Sequence, residues 1–191
     1  MILHNYTDID GWFNMEAQYL TLINSIPKSG VFVELGAWKG KSTSFAVTEI
    51  INRGLDIKFY TVDTFNGVLN GTDQSENNAY KQYDLTSIYD TFKENTKHIK
   101  KHFKTIVNDS AHAAALFEDN SVDAIFIDAG HSYESVKLDL NSWFPKMKPG
   151  SLMSGHDYAQ YYPGVVSAVD EFFKGQLDYI ENNCWFKKII K

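Results

Sequence analysis

Val31-Phe-Val-Glu-Leu-Gly-Ala-Trp-Lys-Gly-Lys-Ser-Thr43 runs an apolar strand directly into a glycine-bearing turn and then into a helix start. Gly36 and Gly40 can take backbone conformations closed to other residues, so the chain can turn sharply and lie against a ligand. The N-terminus of the following helix then presents free N–H groups to that ligand. A phosphate-binding P-loop needs four residues between its first glycine and Gly-Lys-Ser/Thr. Only three lie between Gly36 and Gly40, one short of what wrapping a phosphate requires. The dinucleotide fingerprint Gly-x-Gly-x-x-Gly also cannot be written across this segment.

What remains is an acidic residue at the strand's end, Glu34, followed by Gly-x-x-x-Gly. A carboxylate there repels phosphate but accepts hydrogen bonds from an amine or a hydroxyl. Twenty residues past the turn, Lys58-Phe-Tyr-Thr-Val62 reads as a second strand ending at Asp63. A carboxylate in that place commonly takes a ribose diol. Together Glu34 and Asp63 point to an adenosine cofactor without phosphates, a description that S-adenosylmethionine fits.

The chain has 191 residues, 43% of them hydrophobic, enough for one well-buried core and short for two. We therefore expect a single domain over 1–191. The net charge of −6 argues against a general electrostatic grip on nucleic acid or on an anionic membrane. Cys184 is the sole cysteine and cannot form an intrachain disulfide. No apolar run approaches the ~18 residues of a spanning helix, and the N-terminus has no signal-peptide pattern. These features predict a reducing, soluble, cytoplasmic setting.

Trp12, Phe13, Leu20 and Ile23 recur at helical spacing and stop at Pro27, which predicts an amphipathic helix over residues 10–26. A second helix is expected from Ser42 to Arg53, with Gly54 as its cap. The polar stretch 66–85 is long for an ordinary connection and reads as a lid or substrate loop. From Ile88 to Phe103 an apolar stripe lies beside five lysines, read as a solvated helix face, and His98 and His102 read as surface residues. Further strands are expected at 104–107, 122–127 and 151–154. The helix Gly164–Phe173 follows, and then two strands, Leu177–Ile180 and Trp185–Ile190, forming an edge hairpin. This alternation predicts a Rossmann-like, doubly wound α/β fold: a mainly parallel seven-stranded sheet with an antiparallel edge hairpin and helices on both faces.

Ligands of open α/β sheets gather at the carboxyl ends of the strands. Those ends carry Glu34, Asp63, Asn108-Asp109-Ser110, Asp128-Ala-Gly-His131 and Gly155-His-Asp157. Any one of them alone reads as a turn former. Five in series read as a site.

With these segments placed, the chain resembles the class I S-adenosylmethionine-dependent methyltransferases, and within them methyltransferase family 24. The likeness covers nearly the whole length. It rests on Gly11-Trp-Phe with Glu16-Ala17, the 33–43 segment, Asp63-Thr-Phe, Phe126-Ile-Asp-Ala-Gly-His-Ser-Tyr133, Lys148-Pro-Gly150, Gly155-His-Asp-Tyr158, and Pro163-Gly-Val with Ala168-Val-Asp-Glu-Phe172. The resemblance implies that Glu34 and the turn with Gly36, Ala37, Gly40 and Ser42 hold the methionine portion of the cofactor. It places the ribose on Asp63, the adenine edge on Asp109 and Ser110, and the sulfonium end over Asp128.

Asp128 and Asp157 end neighbouring strands and could share a divalent cation, Mg or Mn, with oxygens of a hydroxylated substrate. Related sugar and catechol O-methyltransferases carry acidic metal ligands at the places matching Asp128 and the 156–157 pair. Here His156 stands where an acid is expected, so the metal set reads Asp128, His156 and Asp157. A nitrogen ligand suits magnesium poorly, which leaves open a softer metal, a set without His156, or no metal. His131 falls where some sugar O-methyltransferases have a histidine base. The expected activity is O-methylation of a small hydroxylated acceptor, a sugar or a phenol, with no nucleic-acid or membrane partner; a homo-oligomer is compatible with this reading. Two competing readings are a P-loop-like nucleoside-triphosphatase, for Gly40-Lys-Ser-Thr43, and a non-catalytic binding module on the same fold.

Overall fold

The structure is a computed structural model and describes residues 2–66 and 83–191. Strand β1 (Ser29–Leu35) leads through the glycine turn into helix α2 (Lys41–Asn52), after an N-terminal helix α1 (Glu16–Ser25). Strand β2 (Asp56–Asp63), helix α3 (Ile88–Thr96) and strand β3 (Phe103–Val107) follow. A short helix α4 (Ser110–Ala113) precedes strand β4 (Val122–Ile127). Helix α5 (Tyr133–Trp143), strand β5 (Met147–Gly155), helix α6 (Pro163–Phe173) and the hairpin β6 (Tyr179–Glu181) and β7 (Cys184–Lys188) complete the chain.

The strands form one 7-stranded sheet in the order β3-β2-β1-β4-β5-β7-β6. Pairing is parallel from β3 through β5, while β7 runs antiparallel to both β5 and β6. Central strands of such a sheet are covered on both faces and read as unbroken apolar runs. Strand β4 is buried along its whole length, and its side chains alternate between two layers. Ile125 and Ile127 pack with Val136, Leu140 and Trp143 of α5 and Val165 and Val169 of α6. Ala124 and Phe126 pack on the opposite face with Tyr19, Leu22 and Ile23 of α1 and Phe45 and Val47 of α2. Helices on both faces thus follow from the period of two along the strands.

Four boundaries differ from the sequence expectation for identifiable reasons. The first helix starts at Glu16, since Gly11 sits at φ +140 and Trp12 turns outward, 58% exposed, against the ring of Trp38. The lysine-rich helix ends at Thr96, and Ile99, fully buried, anchors the turn that follows it. Its lysines find local acids, as Lys93 does with Asp90 at 2.6 Å, and His98 and His102 are exposed. Strand β5 begins four residues early at Met147, because its register with β4 shifts between Val122 and Ala124 and so absorbs Pro149 and Gly150 as an irregularity. The closing hairpin is shorter than expected, Tyr179–Glu181 against Cys184–Lys188, with Asn182 and Asn183 both at positive φ in its turn. Among the described residues no helix is long and apolar enough to cross a membrane. The 66–85 lid expectation falls almost wholly outside the described residues.

Candidate active site

A cleft of about 750 Å³ opens at the carboxyl ends of the strands. Its floor is the β1 turn, whose shape Gly36 makes possible. That residue sits at φ +91, and a Cβ there would come within 1.9 Å of the Asp128 carbonyl oxygen. The ends of β1 and β4 therefore touch backbone to backbone, which brings Asp128 beside the turn.

Glu34 lies beneath this floor and does not line the cleft. It is fully buried; its Oε1 accepts from the Tyr19 hydroxyl at 2.8 Å and its Oε2 from Thr61 at 2.7 Å and Thr43 at 2.5 Å. Burial raises its pKa, and the hydroxyl hydrogen bonds oppose that rise. The expected hold on the methionine portion is corrected: this carboxyl ties α1, α2 and β2 to the end of β1. Gly40 also faces away from the cleft. At φ +88 it begins α2, and a Cβ there would meet Thr96 and Phe92 of α3. The remaining residues expected on the cofactor, Gly36, Ala37, Ser42, Asp63, Asp109, Ser110 and Asp128, all line the cleft.

Asp63 closes the turn from the β2 side. Its Oδ2 accepts from the backbone N–H groups of Ala37 at 2.7 Å and Trp38 at 2.9 Å, and its Oδ1 from that of Phe65 at 2.7 Å. Burial raises its pKa, against these backbone donors. A carboxylate has about four acceptor positions, so three backbone bonds leave little capacity for a ligand hydroxyl. Asp63 shapes the turn as much as it could bind a ribose.

Asp109 caps α4 by accepting from Ala111 and His112 N–H at 3.1 Å each. Ser110 donates to Asp139 Oδ1 at 2.6 Å. Asp139 was not anticipated, although a signal was present: an acid on the apolar stripe of α5 that includes Val136, Leu140 and Trp143. Gly11, Trp12, Ser135 and Leu138 are further lining residues that sequence reasoning did not place.

At the other flank, Asp128, His131 and Asp157 converge, with one donor atom from each lying within 4.8 Å of the others. His131 Nε2 is 2.9 Å from Asp157 Oδ2 and 3.5 Å from Asp128 Oδ1. The ring of His131 packs on Tyr162 at 4.9 Å between centroids. His156 lines the cleft but binds the other side of Asp157, Nδ1 to Oδ1 at 3.1 Å. The expected metal set Asp128, His156, Asp157 is corrected here, since the three donors that converge include His131 in place of His156. The reason is local geometry: Asp157 sits in the left-handed region at φ 58, which turns its carboxylate between the two imidazoles. Burial pushes the Asp157 carboxyl up, but the two histidines outweigh it and hold the group well below the usual carboxylate range. The His156 pKa is raised, its burial being outweighed by Asp157 and Asp128.

Two tyrosines, Tyr161 and Tyr162, line the cleft. Tyr158 instead donates to Asp170 at 2.6 Å, and Tyr83 packs edge-on against Trp38 at 5.1 Å. Lys41, which the nucleoside-triphosphatase reading would place on phosphates, bonds the Gly11 carbonyl at 3.2 Å.

A seven-stranded sheet in this order, with a glycine turn after its central strand and acids on the flanking strand ends, defines a class I S-adenosylmethionine-dependent methyltransferase. The chain belongs to the family described as Methyltransferase domain, methyltransferase family 24, whose model matches residues 33–158. That membership overturns the nucleoside-triphosphatase reading. The chain is similar to the uncharacterized protein y4gI of Sinorhizobium fredii (strain NBRC 101917 / NGR234), with 28% identity over 125 residues. That match covers 65% of this chain and only 13% of y4gI. Among solved structures it is similar to the O-methyltransferase NovP, with TM-score 0.70, 18% identity, and coverage of 93% of this chain and 78% of that one. An rRNA methylase from Streptococcus thermophilus shares the fold, with TM-score 0.61, 11% identity, and coverage of 94% and 98%.

Proposed function

We propose that this methyltransferase moves the methyl group of S-adenosylmethionine to a hydroxyl of a small molecule, a sugar or a phenol. The observation that carries this reading is the convergence of Asp128, His131 and Asp157 on one flank of the cleft whose floor is the β1 turn. S-adenosylmethionine would supply an electrophilic methyl carbon, whose transfer to the acceptor oxygen would release a neutral thioether, and His131 would take the acceptor's proton. The protein's part is alignment and proton removal. Asp157, 2.9 Å from His131 Nε2, orients the imidazole and stabilises its protonated form.

Two carboxylates and an imidazole also fit a divalent cation, which would lower the pKa of a bound hydroxyl. Asp128 and Asp157 would hold it; His131 Nε2, which faces both carboxylates, would serve either as its third ligand or in the Asp157 pair, not in both. NovP, an O-methyltransferase, supports the hydroxyl reading by shared fold. The net charge of −6 counts against an rRNA substrate, although an rRNA methylase also shares the fold.

Calorimetric titration with S-adenosylmethionine and its demethylated product tests the cofactor, and methyl transfer to a panel of sugars and phenols tests the acceptor. Transfer to rRNA with none to hydroxylated small molecules would overturn the reading. Cofactor binding without transfer to any acceptor would favour the non-catalytic module.

A further inference from the structure

We propose that Asp139 is the specificity-determining residue for the cofactor's base, receiving the exocyclic amine of a 6-aminopurine through Oδ2. The inference rests on the methyltransferase reading and extends it to a residue outside the strand-end series. Asp139 projects from α5 into the cleft and is 1% exposed. Its Oδ1 is held by the Ser110 hydroxyl at 2.6 Å, which fixes the side chain, while Oδ2 is buried with no hydrogen-bond partner among the described residues. A buried carboxyl oxygen without a donor is costly, and native structures rarely leave one so. Within the cleft the missing donor must come from whatever fills it.

The position selects which end of the cofactor that is. Asp128, His131 and Asp157, where methyl transfer is placed, stand at the ends of β4 and β5. Ser110, which grips Asp139, follows β3, on the other side of β1 in the sheet. A cofactor with its sulfonium at Asp128 therefore presents its far end, the base, to Ser110 and Asp139. Beside Asp139, Leu138 lines the same cleft and is 54% exposed, an apolar surface open to a flat ring. An apolar face next to a fixed acceptor is the pattern that binds a planar heterocycle bearing an amine. A 6-oxopurine reverses the pattern, presenting a carbonyl oxygen where Oδ2 needs a donor.

The test is calorimetric affinity for S-adenosylhomocysteine and S-inosylhomocysteine at about pH 9, where the Asp139 carboxyl, pushed up to about 7 by burial, is ionised and can only accept, in the wild type and in Asp139→Asn. The wild type is expected to prefer the amino form by roughly 10- to 100-fold, the range of one hydrogen bond to a charged group. Asp139→Asn, which can donate to a 6-oxo group, is expected to narrow that preference to about threefold or less. A wild type that binds both equally overturns the proposal whatever the variant does, and so does an Asp139→Asn protein that keeps the full preference. In either case measurable affinity for S-adenosylhomocysteine leaves the methyltransferase reading standing; binding of neither compound would overturn both.

Discussion

The raised pKa of Asp139, a buried carboxyl lining the cleft, has a measurable consequence in the protein alone. Burial pushes its pKa from 3.8 up to about 7; the Ser110 hydrogen bond opposes this and the nearby Asp109 charge adds to it. The folded state therefore holds a proton that the unfolded chain releases near pH 3.8. The resulting stability is fully present below that pH and is lost as pH rises towards 7. Asp139→Asn removes the titration, so its stability relative to wild type should improve by about 2–3 kcal/mol between pH 5 and pH 8. Urea unfolding of both proteins at the two pH values checks this, and a pH-independent difference would contradict it. Glu34 shows the opposite use of a buried acid, with both oxygens occupied by hydroxyl donors. Glu34→Ala leaves Tyr19, Thr43 and Thr61 without their acceptor and should cost about 3 kcal/mol or more. Denaturant unfolding should show that loss. His131→Ala should lower turnover by roughly 10²–10⁴ with cofactor affinity nearly unchanged. Single-turnover assays beside calorimetry separate those two readouts, and wild-type turnover in the variant would remove His131 as the base.

Elements matter here through where they end. The turn after β1 works because α2 starts at Gly40 while β4 ends against Gly36. Gly36→Ala would drive a Cβ into the Asp128 carbonyl and would also strain a positive φ. We expect loss of cofactor binding together with a lower melting temperature, read by calorimetry and by thermal unfolding followed by circular dichroism. Helix α5 couples core and cleft by putting Leu140 and Trp143 in the apolar layer and Asp139 at the cleft from the same turns. Leu140→Ala should therefore cost about 2–5 kcal/mol of stability, the range for a fully buried leucine. Denaturant unfolding checks it.

At the scale of the whole molecule, the sheet gathers residues from five strand ends into one cleft, and the pairing of Asp128 with Asp157 exists only because β4 and β5 are neighbours. If a divalent cation assists transfer through that pair, excess chelator should abolish turnover and added Mn or Mg should restore it, once an acceptor is in hand. Full turnover in chelator would leave the Asp157–His131 pair as the whole apparatus. Much of this arrangement was legible in the chain. The apolar run of β1, the glycine spacing and the series of acids after strands are local patterns, set by backbone sterics and by the period of two, and they determined the fold class and the strand-end part of the cleft lining. Only the tertiary structure decided which way each carboxyl points. Glu34 and Asp63 both stand at the carboxyl end of a strand, Glu34 one residue before the end of β1 and Asp63 the last of β2, yet Glu34 turns down among the hydroxyls of three other elements while Asp63 turns up against the backbone of the β1 turn. His131 and His156 compete for one carboxylate, and a left-handed Asp157 settles which faces Asp128. Asp139 reads as an ordinary helix acid until Ser110, 29 residues earlier, is brought against it. Side-chain direction and partner identity depend on contacts between residues far apart in the chain, and no local pattern encodes them.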